Sequence, residues 1–429
     1  MVMNRILSLD ILRGSLILYV VFIHAVLLII FQANYDYIDL LPIWLIAVMF
    51  PLLIIAMWGP LFSMMSATTN TIIVYNQLEK GSSLPTLIKH RMTSYVLIII
   101  VHLINMTFFI HFIPLDGEIY RSMIGGSLET GQLIIPNILM FLNSGTLLLI
   151  GLSGVIINVI LFILWKNNGH RQIKRTAAVF IILALLLLLI RPFIFPVMES
   201  IIAQLVQQNN LIVAIPLSWL FRGQFGLIPM AAIPFFGVIF GLLFVTKSSK
   251  KQILKFGLIA IVGMLLLALG FLGIYGIPDL TLPYWPVAMV AFNLMLMILV
   301  TTLMIIRYDC SSTEKRLKYA KRTIFFRRFS MITLSMFVFE SIIAVLWAKL
   351  FTLLFVDPFP FNVVADLIFL FCVLATWYVI ARLWEKINFK YSIEWFMVQI
   401  IARMQGRSSQ KLNVESVLYH PISHEHKEK

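Results

Sequence analysis

Apolar runs of about twenty residues recur along the whole chain, and they constrain its fold more than any other feature. A helix of about 20 residues spans the ~30 Å hydrocarbon core of a bilayer. The chain has 429 residues, of which 61% are hydrophobic and 12% charged, too few charges to cover a soluble core of that size. We therefore predict an all-α, multi-pass transmembrane helical bundle. Ten spans are expected, at residues 8–31, 41–66, 92–113, 139–165, 175–196, 226–246, 252–275, 285–307, 330–356 and 361–387.

The loops between these spans alternate in charge. The segments around Asp36, Asp279 and Asp357 contain no Lys or Arg, and residues 114–135 contain a single Arg, whereas residues 307–328 contain eight basic residues. This positive-inside pattern predicts a cell-membrane protein with both termini in the cytoplasm. The net charge of +14 is therefore topological, and no nucleic-acid partner is expected. The basic inner face would attract an anionic lipid or an anionic soluble cofactor.

No loop is long enough for a separate enzyme domain, so residues 1–404 are interpreted as one transmembrane domain. An amphipathic stretch from Tyr391 to Arg403 is expected at the inner interface. The polar tail, residues 405–429, is predicted to be a disordered cytoplasmic segment. Its three histidines have no fixed spacing, and no metal site is predicted.

The first span carries three ionisable side chains on one face. At 100° per residue, Asp10, Arg13 and His24 fall within about 60° of one another, and the rise from Arg13 to His24 is ~16.5 Å. Asp10 and Arg13 are either interface residues, with Arg snorkelling and Asp at a helix N-terminus, or part of a site. His24 lies well inside the apolar run, where ionisable residues usually face a cavity or a partner helix.

Other spans contain further candidates for a buried polar site. Arg191 is either a snorkelling residue at a span terminus or a counter-ion for a buried carboxylate, Glu340 or Asp366. His111 and Lys349 are interpreted as interface residues. The ionisable residues expected within spans are His102, Arg191, Glu340 and Asp366.

Several short motifs, in order, resemble those of membrane-bound acyltransferases: the acyltransferase-3 proteins, the heparan-α-glucosaminide N-acetyltransferase relatives and the YeiB-like bacterial membrane proteins. The resemblance extends from about residue 5 to about residue 400. Glu340 stands where YeiB-like chains more often have glutamine, and Met64-Met65 where phenylalanines are usual. The matching segments are Ser8–Gly14 with the helix to His24, Gly59–Ser66, Gly145–Leu152, Phe225–Gly241, Arg328–Ser341 and Ile393–Phe396.

The resemblance implies transfer of an acyl group, in the first place acetyl, from a cytoplasmic acyl-CoA to a hydroxyl or amine of a glycan or lipid acceptor. No permanently bound cofactor is expected. His24 would be the general base or a transient acyl carrier, with Asp366 or Glu340 orienting it or binding the acceptor. The residues expected to hold the donor are Asp10, Arg13, Lys89 and Arg91, and those expected to contact the acceptor are His102 and Arg191.

Two other classes remain open from the sequence. A secondary transporter or a lipid or glycan flippase would also use many spans with scattered charges, although such proteins often contain inverted repeats and none is evident here. In a membrane scaffold or sensor, the buried charges would be structural pairs. The expected partners are the bilayer, the acyl donor and the acceptor, and the sequence leaves open whether the chain forms a homodimer.

Overall fold

The computed structural model describes residues 6–31, 52, 54–55, 57–115, 117–276, 287–354, 362–406, 408 and 412–420. These residues are almost entirely helical, with one antiparallel hairpin of β1 (Phe112–Leu115) and β2 (Glu118–Arg121). The helices are α1 Leu7–His24, α2 Leu61–Leu78, α3 Leu84–Ile104, α4 Met123–Thr130, α5 Thr146–Trp165, α6 Ile173–Gln207, α7 Leu211–Phe221, α8 Leu227–Met230, α9 Ala232–Val245, α10 Lys250–Tyr275, α11 Val287–Tyr308, α12 Thr313–Arg322, α13 Ile324–Ser330, α14 Thr333–Leu354, α15 Val363–Lys386, α16 Ile393–Met404 and α17 Val414–Leu418.

Four short segments of altered helical winding adjoin three of these helices. Wider π turns, Ala25–Ile30 and Asn105–Phe109, continue α1 and α3, and tighter 3₁₀ turns, Ile138–Leu142 and Lys166–Arg171, precede and follow α5. Within the described residues, nine helical segments are long and apolar enough to cross a membrane. The prediction of a polytopic all-α membrane protein is thus confirmed. The nine segments are Leu7–Ile30, Leu84–Phe109, Thr146–Arg171, Ile173–Gln207, Leu227–Val245, Lys250–Tyr275, Val287–Tyr308, Thr333–Leu354 and Val363–Lys386.

Only the later part of the second predicted span, 41–66, lies within the described residues. Residues 41–51 lie outside the described residues, and α2 begins only at Leu61 and continues to Leu78. The later part of α2 contains polar residues that are buried inside the protein. The Thr68 hydroxyl donates to the Met64 carbonyl at 2.9 Å, and the Asn70 amide donates to Asn158 at 3.3 Å. Because these two donors form hydrogen bonds inside the protein, the helix extends past the point where hydropathy falls.

Two compact units can be distinguished in the chain. One unit comprises Met1–Ala56, Ile104–Asn137 and Met304–Lys429; in it α1 packs against α13, α14 and α15. The other comprises Met57–Leu103 and Ile138–Leu303; in it α9 packs against α2 and α6, and α2 packs against α5.

Helix α1 approaches α13 very closely at a glycine. A Cβ atom added to Gly14 would lie 2.6 Å from the carbonyl carbon of Phe326, with the carbonyl oxygen nearer still. A side chain of any size is therefore excluded at residue 14. Beside this contact, Leu7, Ile11 and Ala320 form a buried apolar cluster. The Ser8–Gly14 motif thus has a packing role in the first unit.

Two carboxylates from elsewhere in this unit hold the N-terminal ends of α1 and α14. Asp309 accepts hydrogen bonds from the backbone N–H groups of Leu7 at 2.9 Å and Ser8 at 3.1 Å. Glu394, on α16, accepts from the Ser335 N–H at 3.2 Å and from its hydroxyl at 2.6 Å. Burial raises the pKa of both carboxyls, although these hydrogen bonds oppose the shift. The two helices therefore have buried, specific N-terminal caps.

The C-terminal residues pack against this unit. The predicted amphipathic stretch is helix α16, and residues 412–420 contain helix α17. Val414 and Leu418 are buried, and the Arg327 guanidinium donates to the Val417 carbonyl. Residues 412–420 are therefore structured, in contrast to the predicted disordered tail, because they bury two aliphatic side chains. Residues 421–429 lie outside the described residues.

Candidate functional site

A histidine and a glutamate from separate helices meet within the first unit. The Nδ1 atom of His24 lies 2.6 Å from Oε1 of Glu340. The His24 side chain is 33% exposed and that of Glu340 is 7% exposed. Of the two carboxylates that the sequence offers as partners for His24, the structure thus selects Glu340. The imidazole is thus the more accessible member of the pair.

The winding of the first helix changes directly after His24. His24 is the last residue of α1 before the chain widens into the π turn Ala25–Ile30. Such local widening re-aims side chains and occurs frequently at functional sites. The Phe337 ring, one turn before Glu340, lies edge-on to the imidazole with ring centroids 6.4 Å apart. The imidazole is therefore held by both a hydrogen bond and an aromatic wall.

This geometry suits proton transfer by the imidazole. A carboxylate that accepts from Nδ1–H fixes the tautomer in which Nε2 carries the free lone pair. It also stabilises the imidazolium that forms when Nε2 takes a proton. The pair thus contains a base and the group that orients it.

A second histidine lies close to this pair. His111 is 1% exposed, and it interacts electrostatically with both Glu340 and His24. It follows the span Leu84–Phe109 by two residues, and burial lowers its pKa to about 4. Its imidazole is therefore neutral at physiological pH. The interpretation of His111 as a residue at the membrane interface stays a prediction; what the structure adds is that its side chain is enclosed by the protein.

Contacts on both sides of Glu340 hold the segment that precedes His111. The Ser341 hydroxyl donates to the carbonyl of Phe109. The ring of Phe109 lies edge-on to that of Phe339, with centroids 5.0 Å apart. The sequence analysis does not place His111 beside His24 and Glu340, because it assumes a regular helix through residue 113. In the structure the chain leaves the α-helical path at residue 105.

The other residues predicted in the first unit lie on the same helices. Asp10 is buried and Arg13 is half-buried, and both precede His24 on the uninterrupted helix α1. The predicted spacing along one helix is therefore confirmed. Asp366 is half-buried in the first turn of α15, where the Asn362 side chain caps the helix by accepting from two backbone N–H groups.

The remaining candidates belong to the second unit. Lys89 is exposed and Arg91 half-buried on α3. Arg191 is 5% exposed, and its guanidinium lies 3.5 Å from the centroid of the Phe195 ring. Helix α6 continues through Pro192 to Gln207, so the helix itself does not end at Arg191. Both interpretations of Arg191, at a span terminus or as a counter-ion, stay predictions.

His102 lies where several of the motifs in the second unit meet. It is 3% exposed, and a Cβ atom on Gly145 would lie 3.1 Å from its Cε1. A Cβ atom on Gly59 would similarly lie 2.5 Å from the hydroxyl oxygen of Thr146 and 3.2 Å from the ring of Phe225. Glycine at residue 145 thus allows the close approach of His102, and glycine at residue 59 allows the close approach of Thr146 and Phe225.

Comparison with known proteins adds no relative to this picture. No protein-family model matches the chain, and neither a curated protein nor a solved structure matches it significantly.

Proposed function

We propose that this protein is an integral membrane acyltransferase that uses a cytoplasmic acyl-CoA, in the first place acetyl-CoA. The acceptor is a hydroxyl or amine of a glycan or lipid. The observation that carries this proposal is the hydrogen bond of 2.6 Å between His24 and Glu340, because it gives a membrane-spanning helix an oriented base. The resemblance of the sequence motifs to those of membrane-bound acyltransferases points to the same chemistry.

The proposed reaction uses His24 as a general base. Nε2 takes the proton of the acceptor while its oxygen or nitrogen attacks the thioester carbonyl carbon. The tetrahedral intermediate then collapses with cleavage of the carbon–sulfur bond, and the CoA sulfur receives the proton from the imidazolium. Glu340 holds Nδ1–H and stabilises the positive charge between these steps. Proton transfer of this kind contributes about 10²- to 10⁴-fold to a rate.

The donor's charged end stays near the basic face in this proposal. The phosphates of a nucleotide-bearing thioester are too strongly hydrated to enter hydrocarbon. Arg13 precedes His24 by a rise of ~16.5 Å along α1, a distance that the thin pantetheine arm must cover. Arg13 would bind phosphate, and Asp10, one turn before it on α1, would orient the guanidinium. Lys89 and Arg91 remain sequence-based predictions for donor binding, and His102 and Arg191 remain sequence-based predictions for acceptor binding.

The first experiment tests transfer without a sealed compartment. Detergent-purified protein is incubated with radiolabelled acetyl-CoA and a panel of glycans and lipids. We expect a labelled acceptor with the wild type, a loss of about 10²-fold or more with His24→Ala, and a smaller loss with Glu340→Gln. His420→Ala is the matched control, because it removes an exposed histidine. Full activity of His24→Ala in correctly folded protein would refute the assignment.

A second experiment tests the donor site. Arg13→Ala should raise the KM for acetyl-CoA about tenfold, because a hydrogen bond to a charged group contributes about 1.5–3 kcal/mol, and should leave the KM for the acceptor within about twofold. Equal increases in both would indicate that Arg13 has a structural role instead.

The buried pair also favours one alternative, proton-coupled transport, because intramembrane His and Glu residues form proton relays in pumps and transporters. In that case detergent-solubilised protein would produce no labelled acceptor. Proteoliposomes would instead move a solute only when a pH gradient is applied, and both His24→Ala and Glu340→Gln would abolish that movement.

A further inference from the structure

Helix α16 has an apolar stripe on its outer side, although it is too short to cross a membrane. The helix comprises 12 residues, whereas a span needs about 20. Phe396, Ile400 and Met404, which follow one another at helical spacing, are 49%, 41% and 50% exposed. Gln399 and Ala402, on the other side of the helix, are buried. A helix that is buried on one side and apolar on the other requires a further apolar partner.

The charges around this stripe identify the surface of the bilayer as that partner. Lys386, Lys390 and Arg403 are exposed. The sequence from Lys386 to Met404 contains one acidic residue, Glu394, and its carboxylate is bound to α14. The membrane-spanning helix α15 ends at Lys386, so α16 begins close to the edge of the bilayer. Aromatic and aliphatic side chains bordered by cations are typical of helices that lie on an anionic membrane surface.

Glu394 joins this helix to the start of α14. Its carboxylate accepts hydrogen bonds from the backbone N–H of Leu334 at 2.6 Å and from the Ser335 hydroxyl at 2.6 Å. In return, the Ser335 side-chain oxygen accepts from the backbone N–H of Ile393 at 2.8 Å. The first turn of each helix is thus bound by a side chain of the other. A shift of α16 must therefore break these hydrogen bonds or move the start of α14 with it.

The start of α14 in turn positions Glu340. This residue follows Ser335 by a rise of about 7.5 Å on the same helix, and its Oε1 atom lies 2.6 Å from Nδ1 of His24. A hydrogen bond weakens when its two heavy atoms separate by a few tenths of an ångström. Displacement of the first turns of α14 would therefore loosen the contact between Glu340 and His24.

We propose that α16 docks on the anionic inner surface of the bilayer, and that this docking, through Glu394, holds α14 where Glu340 can orient His24. The consequence for acyl transfer rests on the proposed function, whereas the docking and its effect on α14 do not. In a bilayer without anionic lipid the cations beside α16 lose their partners, and the contact between Glu394 and α14 opens more often. Anionic phospholipid is therefore an activator of this protein.

Hydrogen–deuterium exchange tests the docking without an enzyme assay. The full-length protein is reconstituted into nanodiscs of phosphatidylcholine alone, or of phosphatidylcholine with an equal share of phosphatidylglycerol. We expect the peptide that contains Leu334 and Ser335 to exchange at least about fivefold more slowly with phosphatidylglycerol, the contribution of one cation near an anionic surface. Equal rates in the two kinds of nanodisc would overturn the proposal.

Substitutions separate the charge from the contact. Arg403→Glu should remove most of the lipid dependence of exchange, whereas Arg403→Lys keeps the charge and is the matched control. Glu394→Ala removes the acceptor, so exchange at Leu334 should become fast in both lipids. Glu394→Gln keeps one acceptor oxygen and should have an intermediate effect, which covers the case in which the Ala variant does not fold. Lipid dependence that is undiminished in Arg403→Glu or in both Glu394 variants would refute the coupling.

Acetyl transfer in the same nanodiscs separates this inference from the proposed function. In the wild type the rate should rise at least about fivefold with phosphatidylglycerol, and in Glu394→Ala it should not respond to the lipid. Lipid-dependent exchange at Leu334 in a protein that transfers no acetyl group would support the docking surface and refute the acyltransferase. Acetyl transfer that is independent of the lipid, together with equal exchange rates, would do the reverse.

Discussion

Substitution of Gly14 by alanine tests whether the close approach of α1 to α13 is required for the fold. The new Cβ atom would lie 2.6 Å from the Phe326 carbonyl carbon, and ordinary van der Waals contact begins at 3.4 Å. The backbone of α13 must therefore move by about 0.8 Å or more. The obstacle is main chain rather than a flexible side chain. We therefore expect Gly14→Ala to lower the free energy of unfolding by about 3 kcal/mol or more, the upper end of the usual range for overpacking.

The chain provides a matched control for this substitution. Gly263, on α10, meets no described atom within 4 Å of an added Cβ. Gly263→Ala should therefore raise the free energy of unfolding by up to about 1 kcal/mol, because alanine has the higher helix propensity. The two alanine variants should thus differ by about 3 kcal/mol or more in free energy of unfolding.

The assay is reversible unfolding in mixed detergent micelles, followed by circular dichroism, together with the activity measurement described above. Because α1 carries His24, a displaced α1 should also lower activity in the fraction of Gly14→Ala that remains folded. Equal stability of Gly14→Ala and Gly263→Ala would refute the packing argument, since both changes add the same methyl group to a helix.

Three further predictions follow from buried polar contacts. Burial raises the pKa of Glu394, so the folded state binds the carboxyl proton more tightly than the unfolded state. The stability that this proton contributes is present at low pH and is lost as the pH rises through the raised pKa. Glu394→Gln should therefore make the melting temperature less dependent on pH over that range. Arg328→Met removes an ion pair of 2.5 Å with Glu385, in which the side chains are 5% and 11% exposed. Glu385 keeps its contacts with Arg382 and Tyr419, so we expect a loss of about 1.5–3 kcal/mol in free energy of unfolding; a loss well below about 1 kcal/mol would contradict the argument. Trp165→Phe removes a buried hydrogen bond of 3.1 Å to Thr176 and should cost about 1–2 kcal/mol in the same unfolding assay, whereas Thr176→Val in the Trp165→Phe background should cost little more.

The sequence predicts the helical membrane architecture well, because runs of apolar residues have few alternatives to spanning helices. It fails where polar residues are satisfied inside the protein. Asn70 and its neighbours make α2 too polar to be recognised as a continuous helix, although they are buried. The tail helix α17 was missed for the opposite reason: a polar segment is held by the burial of Val414 and Leu418, which composition alone does not reveal.

The candidate site was only partly predictable for a related reason. His24 and Glu340 stand out as ionisable residues in apolar runs, but they are separated by 316 residues, and helix periodicity says nothing about which distant helix a residue faces. His111 could not be placed beside them, because helical-wheel geometry ceases to apply where α3 widens and ends. Spacing along one helix was reliable, as the uninterrupted α1 shows, whereas pairing between helices required the three-dimensional structure.

The caps formed by Asp309 and Glu394 mean that the sensitive positions of this protein need not cluster around its chemistry. Leu7, which Asp309 holds, precedes His24 by a rise of about 26 Å along α1. If the N-terminal end of α1 were released, the helix would shift as a rigid element, and the imidazole of His24 would be displaced with it. In a deep mutational scan for the proposed activity, substitutions of Asp309 should therefore lower activity, although this residue holds the opposite end of α1 from His24.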